Sequence, residues 1–196
     1  MVASAPFTSD SAKHARFSPE QYIYLSENKM LGTGRTELIR GEIIKMCVQY
    51  DSHAYGVTEM ADALRVVFPK ANFWTRVQMT LRCGEEFFEP DVAIVKGLAK
   101  PQHEYMTAAH AVLVVEVSDT TLVTDTTTKM STYAASRVPE YWVLDVNARK
   151  LIVHRDPTTA GRLGARYKSI TVLDAVSRVA TLAMPKKSIR VGKLLA

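Results

Sequence analysis

Cysteine is nearly missing from this 196-residue chain: Cys47 and Cys83 are its only two. Their separation fits neither a disulfide framework nor a metal-ligand motif. No apolar run approaches the roughly 20 residues that a membrane-crossing helix needs. Met1 to Lys13 is small and polar, without the apolar centre of a secretory leader. A cytoplasmic location with no membrane contact is therefore expected. There is also no glycine-rich phosphate loop, no Lys/Arg-rich tract and no internal repeat.

What is present is a core-forming composition. Hydrophobic residues make up 47% of the chain, which argues against disorder. The length suggests one domain. A flexible tail is expected over 1–15 and a single domain over 16–196. Its core would span about 36–146 and a β-rich extension about 147–196. Charge is unevenly placed: residues 1–145 carry 14 Lys/Arg against 18 Asp/Glu, whereas 146–196 carry 11 against Asp156 and Asp174. From charge alone, a polyanion partner and a plain solvated basic surface are comparable readings.

Local signals give the order of elements. Ser18-Pro19-Glu20-Gln21 has the residues of a helix start, with Ser as N-cap and Gln at the third position. Thr36 to Met46 reads as a hairpin about Arg40-Gly41. Val57, Met60, Ala61, Leu64 and Val67 recur at helical spacing, predicting a helix from His53 to about Phe68, closed by Pro69. Phe73 to Leu81 reads as a strand with Gln78 inside it, and Phe87 to Val95 as the next, carrying Pro90-Asp91. A helix capped by Thr124 or Asp125 should follow, placing Asp125, Lys129 and Tyr133 along one face. Glu140 to Asp145 and Leu151 to His154 then form strands, with further strands at Arg166 to Leu173 and Thr181 to Met184.

The centre of this order is Ala111-Val-Leu-Val-Val-Glu116-Val117-Ser118, a run apolar on both faces, as in a covered central strand. A carboxylate inside it is costly unless compensated. If the strands bearing Asp91 and Glu116 pair, two carboxylates converge at one sheet end, where a hard cation such as Mg2+ finds the oxygen ligands it prefers. Each residue alone also has a bland explanation. Asp91 could close a turn, Glu116 could pair with an arginine, and Lys129 could be a helix-surface lysine. Glu37 could be an exposed strand carboxylate, and His53 a surface or capping residue.

Taken together, Glu89-Pro90-Asp91, Val114-Val-Glu116-Val-Ser118 and the helix and strand that follow resemble the core of the PD-(D/E)xK nuclease superfamily. Within it, the chain resembles the Uma family of restriction-endonuclease-like proteins. The likeness runs over residues 17–155 and includes Glu37-Leu-Ile-Arg-Gly-Glu42, His53, Gln78, Asp125-x-x-x-Lys129-x-x-x-Tyr133 and Val138-Pro-Glu-Tyr-Trp142. It implies that Asp91 and Glu116 are metal ligands for Mg2+ or Mn2+, that Glu37 is the upstream acidic residue, and that His53, Gln78 and Tyr133 are auxiliary. The superfamily usually places its lysine two residues after the Glu. Here that position is Ser118, and the resemblance implies Lys129 from the next helix instead. Residues 126–128, often charged in relatives, are all threonine.

The expected fold is α/β: a restriction-endonuclease-like mixed central sheet flanked by helices, with an N-terminal helix and hairpin and a β-rich C-terminal extension. The expected function is metal-dependent hydrolysis of phosphodiesters in nucleic acid, DNA first, by Asp91, Glu116, Lys129 and Glu37. A homodimer would accord with many DNA-cutting members of the superfamily. The rivals are an inactive nucleic-acid-binding or regulatory protein on the same scaffold, a hydrolase of another phosphoester, and a partner protein that dimerises through its β-rich end.

Overall fold

The computed structural model describes residues 15–47, 49–97, 105–159 and 164–195. Most of the expected tail therefore lies outside the described residues. Helix α1 (Pro19–Glu27) starts as its sequence dictates. The Gln21 amide donates to Ser18 Oγ at 3.3 Å, and the Ser18 amide donates to Gln21 Oε1 at 2.8 Å. These bonds satisfy two donors that a helix start otherwise leaves open. Buried Tyr22 then fastens α1 to the first strand, its hydroxyl donating to the Thr36 carbonyl at 2.8 Å.

Strands β1 (Thr36–Ile39) and β2 (Glu42–Lys45) form the expected hairpin. Arg40 and Gly41 both have positive φ, 52° and 78°, the two-residue turn whose twist suits a hairpin. Gly41 is needed for a second reason: a Cβ there would lie 2.7 Å from Arg16 Cβ. This hairpin joins β4 (Leu81–Cys83) and β5 (Glu86–Phe88) in a small antiparallel sheet of order β2-β1-β5-β4.

The main sheet is six-stranded, in the order β10-β9-β8-β7-β6-β3. It comprises β3 (Phe73–Val77), β6 (Val92–Lys96), β7 (Ala111–Ser118), β8 (Glu140–Asp145), β9 (Lys150–Thr158) and β10 (Arg166–Asp174). Only β7 and β8 pair in parallel, across a helical connection at 122–135 that we label α3. The sheet is thus mixed, as expected, and all eight residues of β7 are buried. Helix α2 (Asp51–Val67) covers one face through Val57, Met60, Ala61, Leu64 and Val67. It comes very close to β7 at Gly56, where a Cβ would sit 2.9 Å from Val117 Cγ1. The α3 segment covers the other face, with Tyr133 and Ala134 packed in that core.

Three expectations need correction. The strand expected over 73–81 ends at Val77, because Gln78 has φ 48° and breaks the extended run. Its continuation, β4, belongs to the small sheet. The strand expected over 87–95 likewise divides into β5 and β6 on either side of Pro90, which has no amide to give to a ladder. Residues 181–184 form a turn closed by the Met184 amide on the Thr181 carbonyl, and the terminal strands are β11 (Arg178–Ala180) and β12 (Ser188–Arg190).

The C-terminal module is tied to the main sheet through Glu140, which is 0% exposed. Its Oε1 accepts from Arg155 Nε and Nη2 and from Trp142 Nε1, at 2.9, 2.6 and 3.0 Å. Its Oε2 accepts from the Leu182 amide at 2.7 Å. Removing the carboxylate leaves the Trp142 and Leu182 N–H donors without their acceptor and takes from Arg155 its ion-pair partner, leaving it the Ala180 carbonyl. Glu140→Ala is therefore expected to lower stability by about 3–5 kcal/mol, read as a fall in the urea midpoint at constant m-value.

Candidate active site

The two strand interruptions, at Gln78 and at Pro90, build the site. Gln78 and Asp91 sit where the chain passes between the two sheets, and the Gln78 amide donates to the Asp91 carbonyl at 3.1 Å. In the β6–β7 ladder Val92 faces Val115. One step further along that register, Asp91 stands opposite Glu116. Asp91 Oδ2 accepts from the Val117 amide at 2.8 Å and faces His53 Nε2 at 3.2 Å. Its Oδ1 accepts from Gln78 Nε2 at 3.2 Å. Burial alone would raise the Asp91 carboxyl. The hydrogen bond and charge of His53, the Val117 amide and Gln78 outweigh burial and hold it below the usual carboxylate value. His53 moves the opposite way. Burial disfavours its cation, but Asp91 raises it above the ordinary imidazole value.

The second cluster surrounds Lys129, which is 4% exposed. Its Nζ donates to Glu116 Oε1 at 3.1 Å and to Glu37 Oε1 at 3.2 Å, with Asp125 Oδ1 at 3.9 Å. Tyr133 donates to the same Glu116 oxygen at 2.8 Å. Glu37 is buried and also accepts the Glu89 amide at 2.9 Å. Burial opposes charge on Lys129, but Glu116, Glu37 and Asp125 together raise it above the ordinary lysine value. Glu116 is pushed well above its ordinary value by burial. Lys129 opposes that shift, while Asp125, Asp91 and Glu37 add to it. Lys129 is thus firmly an ammonium, and one ammonium does not balance three carboxylates.

Lys129 reaches this position through a local distortion. The α3 segment runs as a turn of α-helix (Leu122–Thr124), a π-helical turn (Asp125–Lys129) and a second α-helix (Met130–Ala135). The threonines account for much of this. Thr126 and Thr127 hydroxyls take the Leu122 and Val123 carbonyls at 2.6 and 2.5 Å, competing with the α-helical ladder. Tyr141 donates to the Asp125 carbonyl at 2.9 Å. The helix therefore starts before the expected Thr124 or Asp125, and Asp125 does not cap it. Its side chain is buried instead, Oδ2 accepting from Ser118 and Thr121 hydroxyls at 2.6 Å each. Its Oδ1 makes no hydrogen bond.

All seven expected site residues fall in or against this one region: Asp91, Glu116, Lys129 and Glu37 as charged groups, His53 and Gln78 around Asp91, and Tyr133 on Glu116. The bland readings do not describe these placements. Glu37 and Lys129 are buried, and Glu116 pairs with lysine rather than arginine. Two participants were not among the expected site residues. Asp125, expected as a helix cap on the same face as Lys129 and Tyr133, is a fourth buried carboxylate. Arg35, whose Nε lies 3.8 Å from Glu89 Oε2, carried no signal.

A cavity of about 300 Å³ opens onto Arg35, His53, Asp91, Glu116, Asp125 and Lys129. A larger open groove of about 750 Å³, bordered by Arg40, Arg82, Glu86 and Thr132, holds none of the carboxylate–lysine cluster. Among the described residues no three His, Cys, Asp or Glu are gathered as an ion-holding set. The donor set fits a hard divalent cation that takes two carboxylates and keeps several waters. The Asp125 oxygen that makes no hydrogen bond and the excess of buried carboxylate favour such a charge nearby.

A family model described as "Putative restriction endonuclease", Uma2, matches residues 19–188. The chain belongs to the Uma2 family. No curated protein matches it. Among solved structures, a crystal structure of a "putative nuclease belonging to DUF820" from Anabaena variabilis is similar, with a TM-score of 0.70 and 14% identity over 91% of this chain and 97% of that one. At that identity the likeness speaks for the fold, which is restriction-endonuclease-like. For the Uma2 chain, no described helix is long and apolar enough to cross a membrane.

The His53–Asp91 pair predicts a titration. In protein kept in chelator, NMR should give the His53 imidazole a pKa above its ordinary value, falling in Asp91→Asn, where burial and the Arg35 charge are opposed only by Asp119. Because the folded value is raised, the stability His53 contributes is complete below its unfolded pKa and fades as pH rises through the folded one. A His53 value unchanged by Asp91→Asn would contradict this assignment.

Proposed function

We propose that this protein is a metal-dependent endonuclease that hydrolyses phosphodiester bonds in DNA. One observation carries the reading: three buried carboxylates, Asp91, Glu116 and Asp125, line a solvent-connected cavity together with the buried Lys129 ammonium, which a fourth buried carboxylate, Glu37, also bonds. Were all four ionised, four negative charges would stand against one ammonium, two cations with His53 protonated, an excess that burial makes costly and that keeps Glu116 hard to ionise until a cation arrives. A bound Mg2+ or Mn2+ held by Asp91 and Glu116 would supply Lewis acidity and a water of lowered pKa.

The remaining roles follow from contacts. His53, Gln78 and the Val117 amide fix Asp91 and keep it ionised. Tyr133 orients Glu116. Glu37 and Asp125 hold Lys129 at the cavity wall, where its charge favours a phosphate oxygen as negative charge builds on it. The family description supports DNA as substrate. The terminal module supports a polyanion, since residues 175–196 contain Arg178, Lys186, Lys187, Arg190 and Lys193 and no Asp or Glu. Arg178 and Arg190 stand opposite each other in the β11–β12 register, with the Arg178 guanidinium held on the Ser188 hydroxyl and carbonyl, so this strand pair presents two cations.

A second reading has its own observation. Glu116 Oε1 already accepts both Lys129 and Tyr133, a closed network that suits a scaffold which binds nucleic acid without cutting it. One experiment separates the two. Supercoiled DNA, linear DNA and RNA are incubated with Mg2+, Mn2+ or chelator, alongside Asp91→Ala, Glu116→Ala and Lys129→Ala. The nuclease predicts metal-dependent nicking of DNA that falls at least about a thousandfold in each variant, with circular dichroism confirming folding. Salt-sensitive binding without cutting in any metal selects the second reading. In chelator, replacing Arg178 and Arg190 by Ala should flatten the dependence of log K on log salt by about 0.9 per lost phosphate contact.

A further inference from the structure

Strand β10 is the outermost strand of the main sheet, and among the described residues nothing pairs with its outer edge. It is nine residues long, whereas β3 at the opposite edge has five. A long regular edge is a template for another strand, and proteins usually blunt such edges with charge, proline or a bulge. In β10 the middle is undefended. Ile170 and Val172 are each 56% exposed, with exposed Thr171 between them. At β3, by contrast, the terminal apolar residues Phe73 and Val77 pack against the core.

The sequence of this edge is complementary to itself. Two copies of β10 can run antiparallel about a two-fold axis through Thr171. Ile170 then faces Val172 of the second copy, and Val172 faces its Ile170. Three residues out from the centre on either side, Lys168 meets Asp174, so that opposite charges close both ends. Cross-strand β-branched pairs and opposite charges are the contacts that stabilise such ladders. Isologous contact of this kind closes at two copies and does not propagate. Asp174 is exposed at this edge, with the Ser177 amide and hydroxyl both on its Oδ1.

We propose that the protein forms a two-fold dimer by antiparallel pairing of β10 with β10 of a second copy, centred on Thr171. The two main sheets become one continuous sheet of twelve strands. The ends of β6 and β7 that carry Asp91 and Glu116 are not part of this edge, so the association does not depend on the nuclease reading.

The full-length protein is tested by sedimentation equilibrium across a concentration series. Wild type should approach twice the 21.8 kDa chain mass. Ile170→Lys with Val172→Lys should weaken association at least about tenfold, with an unchanged circular dichroism spectrum. Lys168→Gln and Asp174→Asn should each weaken it about three- to tenfold; the asparagine keeps the oxygen that Ser177 uses. In a Cys47→Ser background, Thr171→Cys should form a disulfide-linked dimer much faster than Val176→Cys, since directly opposed strand positions lie within disulfide range. Cys83 is buried, its thiol pushed up to about 12, and does not compete. A wild type that is monomeric throughout overturns the proposal, and so does a dimer indifferent to the lysine pair or a Thr171→Cys no faster than the control. A monomer that dimerises only after removal of residues 1–14 assigns the edge to the chain's own tail and overturns it equally.

Discussion

A single ammonium group holds three separate parts of this fold together. Lys129 comes from the helical connection, Glu116 from the central strand and Glu37 from the small sheet, and both carboxylates bond the same nitrogen. None of the three is tolerable alone at that depth. A bare buried carboxylate or ammonium costs several kcal/mol even after relaxation, more than most single apolar contacts return. The docking of the small sheet on the main one is therefore an electrostatic requirement as well as a packing result. Phe88 adds to it by placing its ring 5.7 Å from the ammonium.

The same arrangement explains why the region is poised for a ligand. Burial and neighbouring carboxylates make Glu116 hard to ionise, whereas Asp91, opposite it in the register of the adjacent strand, is kept ionised by His53 and two hydrogen bonds. The pair is thus unequal before anything binds. Separate partners do not divide it into separate sites, because the Val117 amide that holds Asp91 belongs to the residue next to Glu116.

Much of this was legible in the chain. The β7 run announced a covered strand because its positions are apolar apart from Glu116 and the terminal Ser118, and the α2 stripe announced its buried face. The Arg40-Gly41 turn and the Ser18 cap were readable because their chemistry is local. The breaks at Gln78 and Pro90 were not, since apolar residues continue on both sides and only tertiary placement decides which sheet receives each half. Asp125 misled for a related reason. A helix-start Asp is normally a cap, and only the strand beside it reveals that its oxygen goes to the Ser118 hydroxyl. Gly56 carried no periodic signal at all, although its missing Cβ is what lets α2 approach β7 and bring His53 within reach of Asp91.

The displaced lysine follows from these same details. In a strand, positions two apart face the same way, so a lysine at position 118 would extend along the face that carries Glu116. Serine is too short for that. It does something different: its hydroxyl grips Asp125 at 2.6 Å and so draws in the start of the π-helical turn. Four residues on, where the turn re-enters α-helix, Lys129 is directed back over Glu116. The cation thus arrives from the helix at the face a strand lysine would have occupied. Its position now depends on the threonines that compete with the helical ladder and on the Tyr141 hydroxyl, which shares the Asp125 carbonyl with the Met130 amide. A site built this way is set by the packing of α3 on the sheet, so a change in that packing, even far from the carboxylates, moves the charge that balances them.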